Sequence, residues 1–193
     1  MSDVSKEKKL IRAPGDLVSK LNEAANRQGK TFYSYLTEIL EQAVRAYEMK
    51  HNLKDIIDHF ELLEVHEKAG AIFVPREVLD RLINKVYHED GENLQQIWGQ
   101  TGRWYGTYLK GKFNSPVDAF ASLLREGRWD LNKLTVKRDY EMIEFRCVST
   151  LLSQERTVLL QEFIKGAMYS MGYDTLEQEC FRGIIYLKFS RRA

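Results

Sequence analysis

Residues 8–18 of the chain read KKLIRAPGDLV. In Lys8–Ala13 alternate positions fall into two sets, which is the pattern of one short strand, and Pro14-Gly15 ends it. A lone strand leaves N–H and C=O groups unpaired along both edges, and nothing nearby in the sequence offers a partner. The partner that this pattern predicts is the same strand of a second copy of the chain.

Two amphipathic helices are predicted after the strand. Asp16 has a side chain suited to cap the first helix, and Gly29 is of the residue type that commonly ends one. Thr31 is a good N-cap for the second helix, in which apolar residues recur at helical spacing from Tyr35 to Tyr47. Residues 48–62 are predicted to form a helical connector.

The order of strand, Pro-Gly turn, helix, glycine and Thr-capped helix resembles the ribbon-helix-helix DNA-binding family, the group of MetJ, Arc and CopG. The stretches that carry the resemblance are LIRAP, DLVSKLNEAANRQGKT and SYLTEILEQAVRAY. The resemblance implies that two chains pair their strands into an antiparallel ribbon that enters the major groove of DNA. It assigns DNA binding to residues 8–47, which follow a flexible arm of residues 1–7.

This resemblance also divides the strand between two faces. Ile11 and Ala13 would pack on the helices, while the opposite face would donate to guanine or touch a thymine methyl group. The first amides of the second helix would hold a phosphate, and nearby lysines would add sequence-independent attraction. The DNA-contacting residues that the resemblance implies are Lys6, Lys8, Leu10, Arg12, Lys30, Thr31, Phe32 and Tyr33.

The sequence departs from that family at four positions. Leu10 stands where the family's strands usually carry a polar residue and Lys9 where they carry an apolar one, which blurs the division into two faces. Phe32 and Tyr33 stand where small or basic residues are common. The alternative for residues 8–47 is a helical hairpin with a leading strand whose basic residues are merely solvated.

The rest of the chain predicts strands and helices in alternation. ELLEVHEKAGAIFVP, which ends at Pro75, is predicted as two short strands around a turn at Lys68-Ala69-Gly70. Pro75 then opens a helix. A further helix is expected to contain Gly99, Gly102 and Gly106, which cost about 1 kcal/mol each against alanine and so predict close approach by another helix or a ligand. This helix is Asn93–Leu109, and the remaining predicted helices are Val117–Glu126 and Ser153–Met171. The predicted strands form two hairpins: Leu131–Lys137 and Glu141–Val148 around a turn at Arg138-Asp139-Tyr140, and Thr175–Arg182 and Ile184–Ser190 with a turn at Arg182-Gly183.

Three stretches of this part, AIFVPREVLDRLINKV, IWGQTGRWYGTYL and LQEFIKGAMYSMGYDTLEQECFRGIIYLKF, resemble the 4-vinyl-reductase-like domain family, which is akin in fold to haem-NO-binding domains and to TRAPP trafficking subunits. The resemblance implies an antiparallel sheet against helices, around a pocket for a hydrophobic or aromatic small molecule. The alternative is that the aromatic side chains simply fill the core. The residues expected to line the pocket are Trp98, Trp104, Tyr105, Tyr108, Phe145, Cys147, Phe163, Met168 and Cys180.

Composition narrows the range of functions. The net charge of +1 does not by itself indicate nucleic acid, although SKEKKLIR at residues 5–12 carries four basic residues and one acidic one. No cofactor or metal is expected, because Cys147 and Cys180 are too few for a zinc site and His88 is the only histidine in the helices of the second domain. No nucleophile elbow or phosphate loop is present, so no enzyme is predicted. We expect a cytoplasmic protein with no membrane segment.

These observations predict an α+β protein of two domains. A ribbon-helix-helix domain of residues 8–47 is followed by a connector of residues 48–62 and a sensor or dimerisation domain of residues 63–193. The predicted function is a dimeric transcriptional regulator, with double-stranded DNA, a second copy of itself and a small hydrophobic ligand or protein as partners. The alternative is a DNA-organising, partition or scaffold protein whose second domain only mediates protein contacts; an antitoxin and an enzyme are weaker interpretations.

Overall fold

The computed structural model describes residue 10, residues 12–126 and residues 129–192. Contacts within the chain divide it into two compact units, residues 1–57 and residues 58–193, which we call the front unit and the rear unit. The described part is α+β, with one four-stranded antiparallel sheet and six helices. No described helix is long and apolar enough to cross a bilayer.

The front unit contains helices α1 (Gly15–Arg27) and α2 (Phe32–Glu48). Gly29, at φ +66°, allows the amide of Lys30 to reach back to the carbonyl of Ala25, which ends α1 as predicted. The hydroxyl of Thr31 accepts a hydrogen bond from the amide of Ser34 at 3.2 Å, so its predicted capping role is confirmed.

Two details at the start of the front unit differ from the prediction or lie beyond it. Pro14, and not Asp16, is the N-cap of α1, and no side chain caps it; Asp16 lies in the first turn. Half of the predicted strand falls outside the described residues, and its described members Leu10, Arg12 and Ala13 belong to no strand of the single chain.

Helix α3 (Leu53–Lys68) begins in the predicted helical connector, where the prediction of helix is confirmed. Its second half, residues 61–68, occupies the sequence predicted to form the first of two strands, so that prediction is wrong. Leu62 and Val65 are buried three residues apart, which is helical spacing. Gly70 ends the helix at φ +75°, and the amide of Ala71 bonds back to the carbonyl of His66. The following residues, 71–75, are not part of a strand either.

Helices α4 (Arg76–Lys112) and α6 (Gln154–Met171) form the centre of the rear unit. A Cβ atom added at Gly102 would lie 2.0 Å from the carbonyl oxygen of Phe163, and one at Gly166 would lie 2.0 Å from that of Gly99. The glycines therefore let the two helix backbones touch, and the close approach predicted for α4 is by another helix. Helix α4 bends at Asp90, whose φ of −153° is not helical.

The sheet packs on helix α6 and on α5 (Pro116–Glu126). Its strand order is β1-β2-β4-β3, and both predicted hairpins are confirmed. The turn of the first hairpin is at Tyr140-Glu141, because Arg138 and Asp139 continue the strand. The four strands are β1 (Lys133–Asp139), β2 (Met142–Val148), β3 (Tyr173–Phe181) and β4 (Ile184–Arg191).

One face of the sheet is buried and the other carries charge. A cluster of 21 described residues forms the core between the inner face and the helices. On the outer face the pairing register places four alternating charges in one row across the strands, which is typical of a sheet open to water on one side. These residues are Glu177, Lys188, Glu144 and Lys137.

Candidate DNA-binding surface and candidate ligand site

The described residues that were predicted to contact DNA lie in two places, just before α1 and around the start of α2. Leu10 and Arg12 are exposed, and Lys6 and Lys8 lie outside the described residues. Thr31, Phe32 and Tyr33 form the start of α2, where helix geometry directs the first amides away from the helix. Lys30 differs from the expectation, because its ammonium group is 2.6 Å from the carboxylate of Glu38 and is partly neutralised by it.

The front unit leaves several apolar side chains exposed and others only half-buried. Among its described residues only Ala25 and Ala46 are buried. On α2, Val44 is 58% exposed and Tyr47 is 81% exposed, although both belong to the apolar face of the helix. Two alanines cannot supply the buried surface that a domain of this size needs to fold alone.

Aromatic rings of the rear unit meet between α4, α6 and the sheet. Phe163 is at the centre: its ring centroid lies 5.1 Å from that of Tyr105, 5.9 Å from Phe120 and 4.5 Å from Trp129. Trp98 adds edge contacts to Trp129 and Phe163 at 6.2 and 6.4 Å. We call Phe163, Tyr105, Phe120, Trp98 and Trp129 the aromatic cluster.

The structure brings most of the predicted pocket residues together. Tyr105, Phe145, Cys147, Phe163 and Met168 are buried in the core, and Trp98 and Tyr108 pack partly buried against it. Trp104 does not join them, since it is 68% exposed on α4. Cys180 is half-buried on the edge strand β3.

The two cysteines lie on opposite sides of one residue. Both Cys147 and Cys180 pair with Ile185 of β4, so two strand spacings of about 4.8 Å each separate them. A disulfide needs Cα atoms within about 7 Å, and this register does not allow it. Burial raises the pKa of Cys147 to about 12. No three metal-binding side chains converge among the described residues.

A histidine and a tyrosine form a polar pair beside the aromatic cluster. Nδ1 of His66, on α3, lies 3.0 Å from the hydroxyl of Tyr105, on α4. Burial, and secondarily the charge of His59, lowers the pKa of His66, so its ring is neutral at pH 7. Burial raises the pKa of Tyr105 to about 12, so its hydroxyl keeps its proton.

Two nitrogen atoms at this site are buried and have no hydrogen-bond partner in the described part of the chain. They are Nε2 of His66 and Nε1 of Trp129. Native structures rarely leave such atoms unpaired, because each loses its bond to water and gains none in return. Together they give an otherwise apolar cluster two polar positions at which a bound molecule would find a partner.

A separate groove of about 600 Å³ runs along the outside of the α4–α6 contact. Gly99 and Gly166 lie in its lining, and Arg103 covers one part of it with its guanidinium 4.6 Å from the ring of Tyr169. Glu162 and Lys165 in its wall pair with each other at 2.8 Å. The groove is therefore polar and close to charge-balanced.

Sequence reasoning missed the two residues with unpaired nitrogen atoms. His66 belongs to a group of scattered histidines that lack the spacing of metal ligands, and the strand prediction for its segment gives it no place at a site. Trp129 lies between a predicted helix and a predicted strand and was assigned no role. A helical interpretation of residues 61–68 places His66 next to the buried Val65 and would have indicated it.

Comparison with known proteins gives little to add to this geometry. No model of a known protein family matches the chain, and no curated protein does. A solved structure described as "Probing the function of heme distortion in the H-NOX family" is 17% identical, with a TM-score of 0.40 over 73% of this chain and 89% of its own.

Two further solved structures have the same level of similarity. "Modulating Heme Redox Potential Through Protein-Induced Porphyrin Distortion" is 18% identical, with a TM-score of 0.37 over 73% of this chain and 93% of its own. "Structural insights into the molecular mechanism of H-NOX activation" is 16% identical, with a TM-score of 0.38 over 73% and 91%. At such low scores we take neither a family nor a cofactor for this chain from them.

Proposed function

We propose that this protein is a dimeric DNA-binding regulator of transcription, in which the front unit pairs with a second copy and the rear unit senses a small aromatic molecule. The observation that carries the proposal is the uncovered apolar surface of α1 and α2. A unit that buries only Ala25 and Ala46 among its described residues needs a partner to fold, and the resemblance to ribbon-helix-helix proteins supplies one.

The DNA-binding part of the proposal depends on exposed groups near the start of α1. Arg12 is exposed and has a planar guanidinium that binds guanine O6 and N7 in two-point fashion. The first amides of α2, beside the confirmed cap Thr31, suit a phosphate. The dimer would bring two copies of each group to one DNA site.

The sensing part depends on the aromatic cluster and the two unpaired nitrogen atoms beside it. Aromatic walls with a few polar atoms are the usual composition of a small-molecule site. Such a ligand regulates DNA binding only if it binds the two arrangements of the dimer with different affinities. A protein partner is the alternative to a small molecule.

The test is DNA binding by the full-length protein, measured by fluorescence anisotropy at several salt concentrations with its own promoter DNA and with random DNA. We expect Arg12→Ala to weaken specific binding by about 1–3 kcal/mol and to relax the preference for one base pair. Arg27→Ala is the matched control, because Arg27 lies on α1, is exposed, and pairs with Glu23. Equal binding by both variants and the wild type, or no salt-dependent binding at all, would contradict the proposal.

A further inference from the structure

Residues 129–132, which lie directly before β1, are tied down by side chains. Asp130 has φ +58°, a left-handed conformation that glycine adopts readily and that aspartate and asparagine adopt occasionally. Its carboxylate accepts hydrogen bonds from Arg76 at 2.5 Å and from Arg156 at 2.7 Å. Arg156 also donates to Asp80 at 3.1 Å. We call these four residues the Asp130 clamp.

The clamp joins three elements that are distant in sequence. Arg76 and Asp80 belong to the first turns of α4, and Arg156 belongs to the first turn of α6. The side chains of Asp130 and Arg156 are only 12% and 11% exposed, so water screens their attraction weakly. The hydroxyl of Ser149 adds a further tie by donating to the carbonyl of Asp130 at 2.6 Å.

The residue next to the clamp inserts an indole ring into the aromatic cluster. Trp129 packs 4.5 Å from Phe163 and edge-on to Trp98, yet its N–H is buried without an acceptor. The ring position is therefore favourable for packing and unfavourable for hydrogen bonding. The segment is held in place by this ring packing, by the charges of the clamp and by the hydrogen bond from Ser149.

We propose that Trp129 is a displaceable plug of the aromatic cluster, and that the Asp130 clamp controls how often it leaves. This inference rests on the proposed sensing role of the rear unit. The molecule that replaces the plug is a planar aromatic compound of about the size of indole that carries a hydrogen-bonding group. Its ring takes the place of the indole against Phe163 and Trp98, and its hydrogen-bonding group stands where the indole N–H is buried without a partner among the described residues.

If Trp129 is either inserted or displaced, the strength of the clamp determines the apparent dissociation constant of the aromatic molecule. If the site is accessible only in a fraction of molecules, the apparent dissociation constant is the intrinsic constant divided by that fraction. Asp130→Asn removes the negative charge that attracts Arg76 and Arg156, while asparagine tolerates the left-handed conformation. The variant should therefore open more often and bind the aromatic molecule more tightly.

The experiment is fluorine NMR of the full-length protein labelled with 5-fluorotryptophan. The chain has three tryptophans and therefore gives three fluorine signals. The probe is 2-naphthol. We expect it to shift the signals of Trp129 and Trp98 and to leave that of the exposed Trp104 in place. Asp130→Asn should lower the apparent dissociation constant at least threefold, and Arg76→Gln, which removes one arm of the clamp, should lower it less.

The matched control is Asp118→Asn, which breaks an exposed pair with Arg138 at 2.6 Å elsewhere in the rear unit and should leave the affinity unchanged. An independent measurement is hydrogen exchange of the Trp129 indole N–H, which should accelerate in Asp130→Asn without added ligand. Unmoved tryptophan signals in wild type and Asp130→Asn, or unchanged affinity and indole exchange in a folded Asp130→Asn variant, would overturn the plug. The salt-dependent DNA binding tests the regulator separately, because a failure of the plug does not affect it.

Discussion

The two units solve the problem of burying apolar surface in different ways. The rear unit encloses 21 described residues in one cluster between a sheet and helices. The helices of the front unit are equally well formed, because Thr31 caps α2 and Gly29 ends α1. Yet only two alanines among the described residues of this unit are buried. Well-formed helices thus do not make a core, and the front unit needs surface from elsewhere.

The largest expected difference between the units is their response to dilution. A unit that folds only in a dimer loses about 1.4 kcal/mol of stability for each tenfold dilution, or about 4 kcal/mol over a thousandfold. We expect hydrogen exchange in α1 and α2 to accelerate on dilution, while exchange in α6 stays constant. Val44→Asp, on the exposed apolar face of α2, should have the same effect as dilution. Concentration-independent exchange in both units would show that the front unit folds alone.

The next largest effect concerns the backbone contact that holds the rear unit together. Gly166→Ala would place a Cβ atom 2.0 Å from the carbonyl oxygen of Gly99, and neither backbone can move without separating α4 from α6. We expect a loss of about 3 kcal/mol or more in the free energy of unfolding, at the upper end of overpacking costs.

The control for this substitution lies on the same helix pair. Gly111→Ala adds a Cβ atom with no other atom within 4 Å and should stabilise the protein by up to about 1 kcal/mol. Denaturant unfolding, monitored by near-UV circular dichroism, distinguishes the two variants. Similar stability for both variants would mean that the helices are not in backbone contact.

A smaller loss is expected from a buried hydroxyl at the other end of α6. Oγ1 of Thr157 accepts from the amide of Gly183 at 2.9 Å and donates to the carbonyl of Ser153 at 2.6 Å. Thr157→Val keeps the shape and leaves the amide unpaired, which should cost about 1–3 kcal/mol in denaturant unfolding. Thr107→Val, an exposed residue on α4, should change stability by less than about 0.5 kcal/mol. Equal effects would indicate that Gly183 finds another acceptor.

Much of the fold could be predicted because local signals and tertiary packing agree. Ser153 and Gly172 bound α6 as expected, and Gly183 with φ +72° forms the turn between β3 and β4. The glycines of α4 indicated close packing because each lowers the stability of the helix, and a close contact compensates for that loss. The misread segment, residues 61–75, carries β-branched and aromatic residues near a glycine, and there a short apolar run fits a strand as well as a helix.

The candidate site was harder to predict than the fold. Seven of the nine expected pocket residues gather in or against the core, since apolar residues at helical and strand spacing face inward whatever their function. The distinguishing atoms are polar ones on His66 and Trp129, and their lack of partners depends on three-dimensional packing that no spacing reveals. The proposed ribbon requires a second chain, and a single chain cannot show it.

The smallest expected effect tests whether His66 belongs to the buried part of the rear unit. Because burial lowers its pKa below the ordinary 6.5, the unfolded chain binds more protons than the folded one as pH falls below about 6.5. Its stabilising contribution is therefore complete above that pH and is lost as pH falls through the folded pKa, with a slope of at most about 1.4 kcal/mol per pH unit.

His66→Gln should flatten the stability profile between pH 7 and 5, whereas His51→Gln, in the front unit and exposed, should not. The lowered pKa values of Glu64, Glu155 and Asp174 act at more acid pH, because their ordinary values are 4.5 and 3.8. An unchanged profile in His66→Gln would mean that the ring is already solvated, and His66 could then not present a dry nitrogen atom to a ligand.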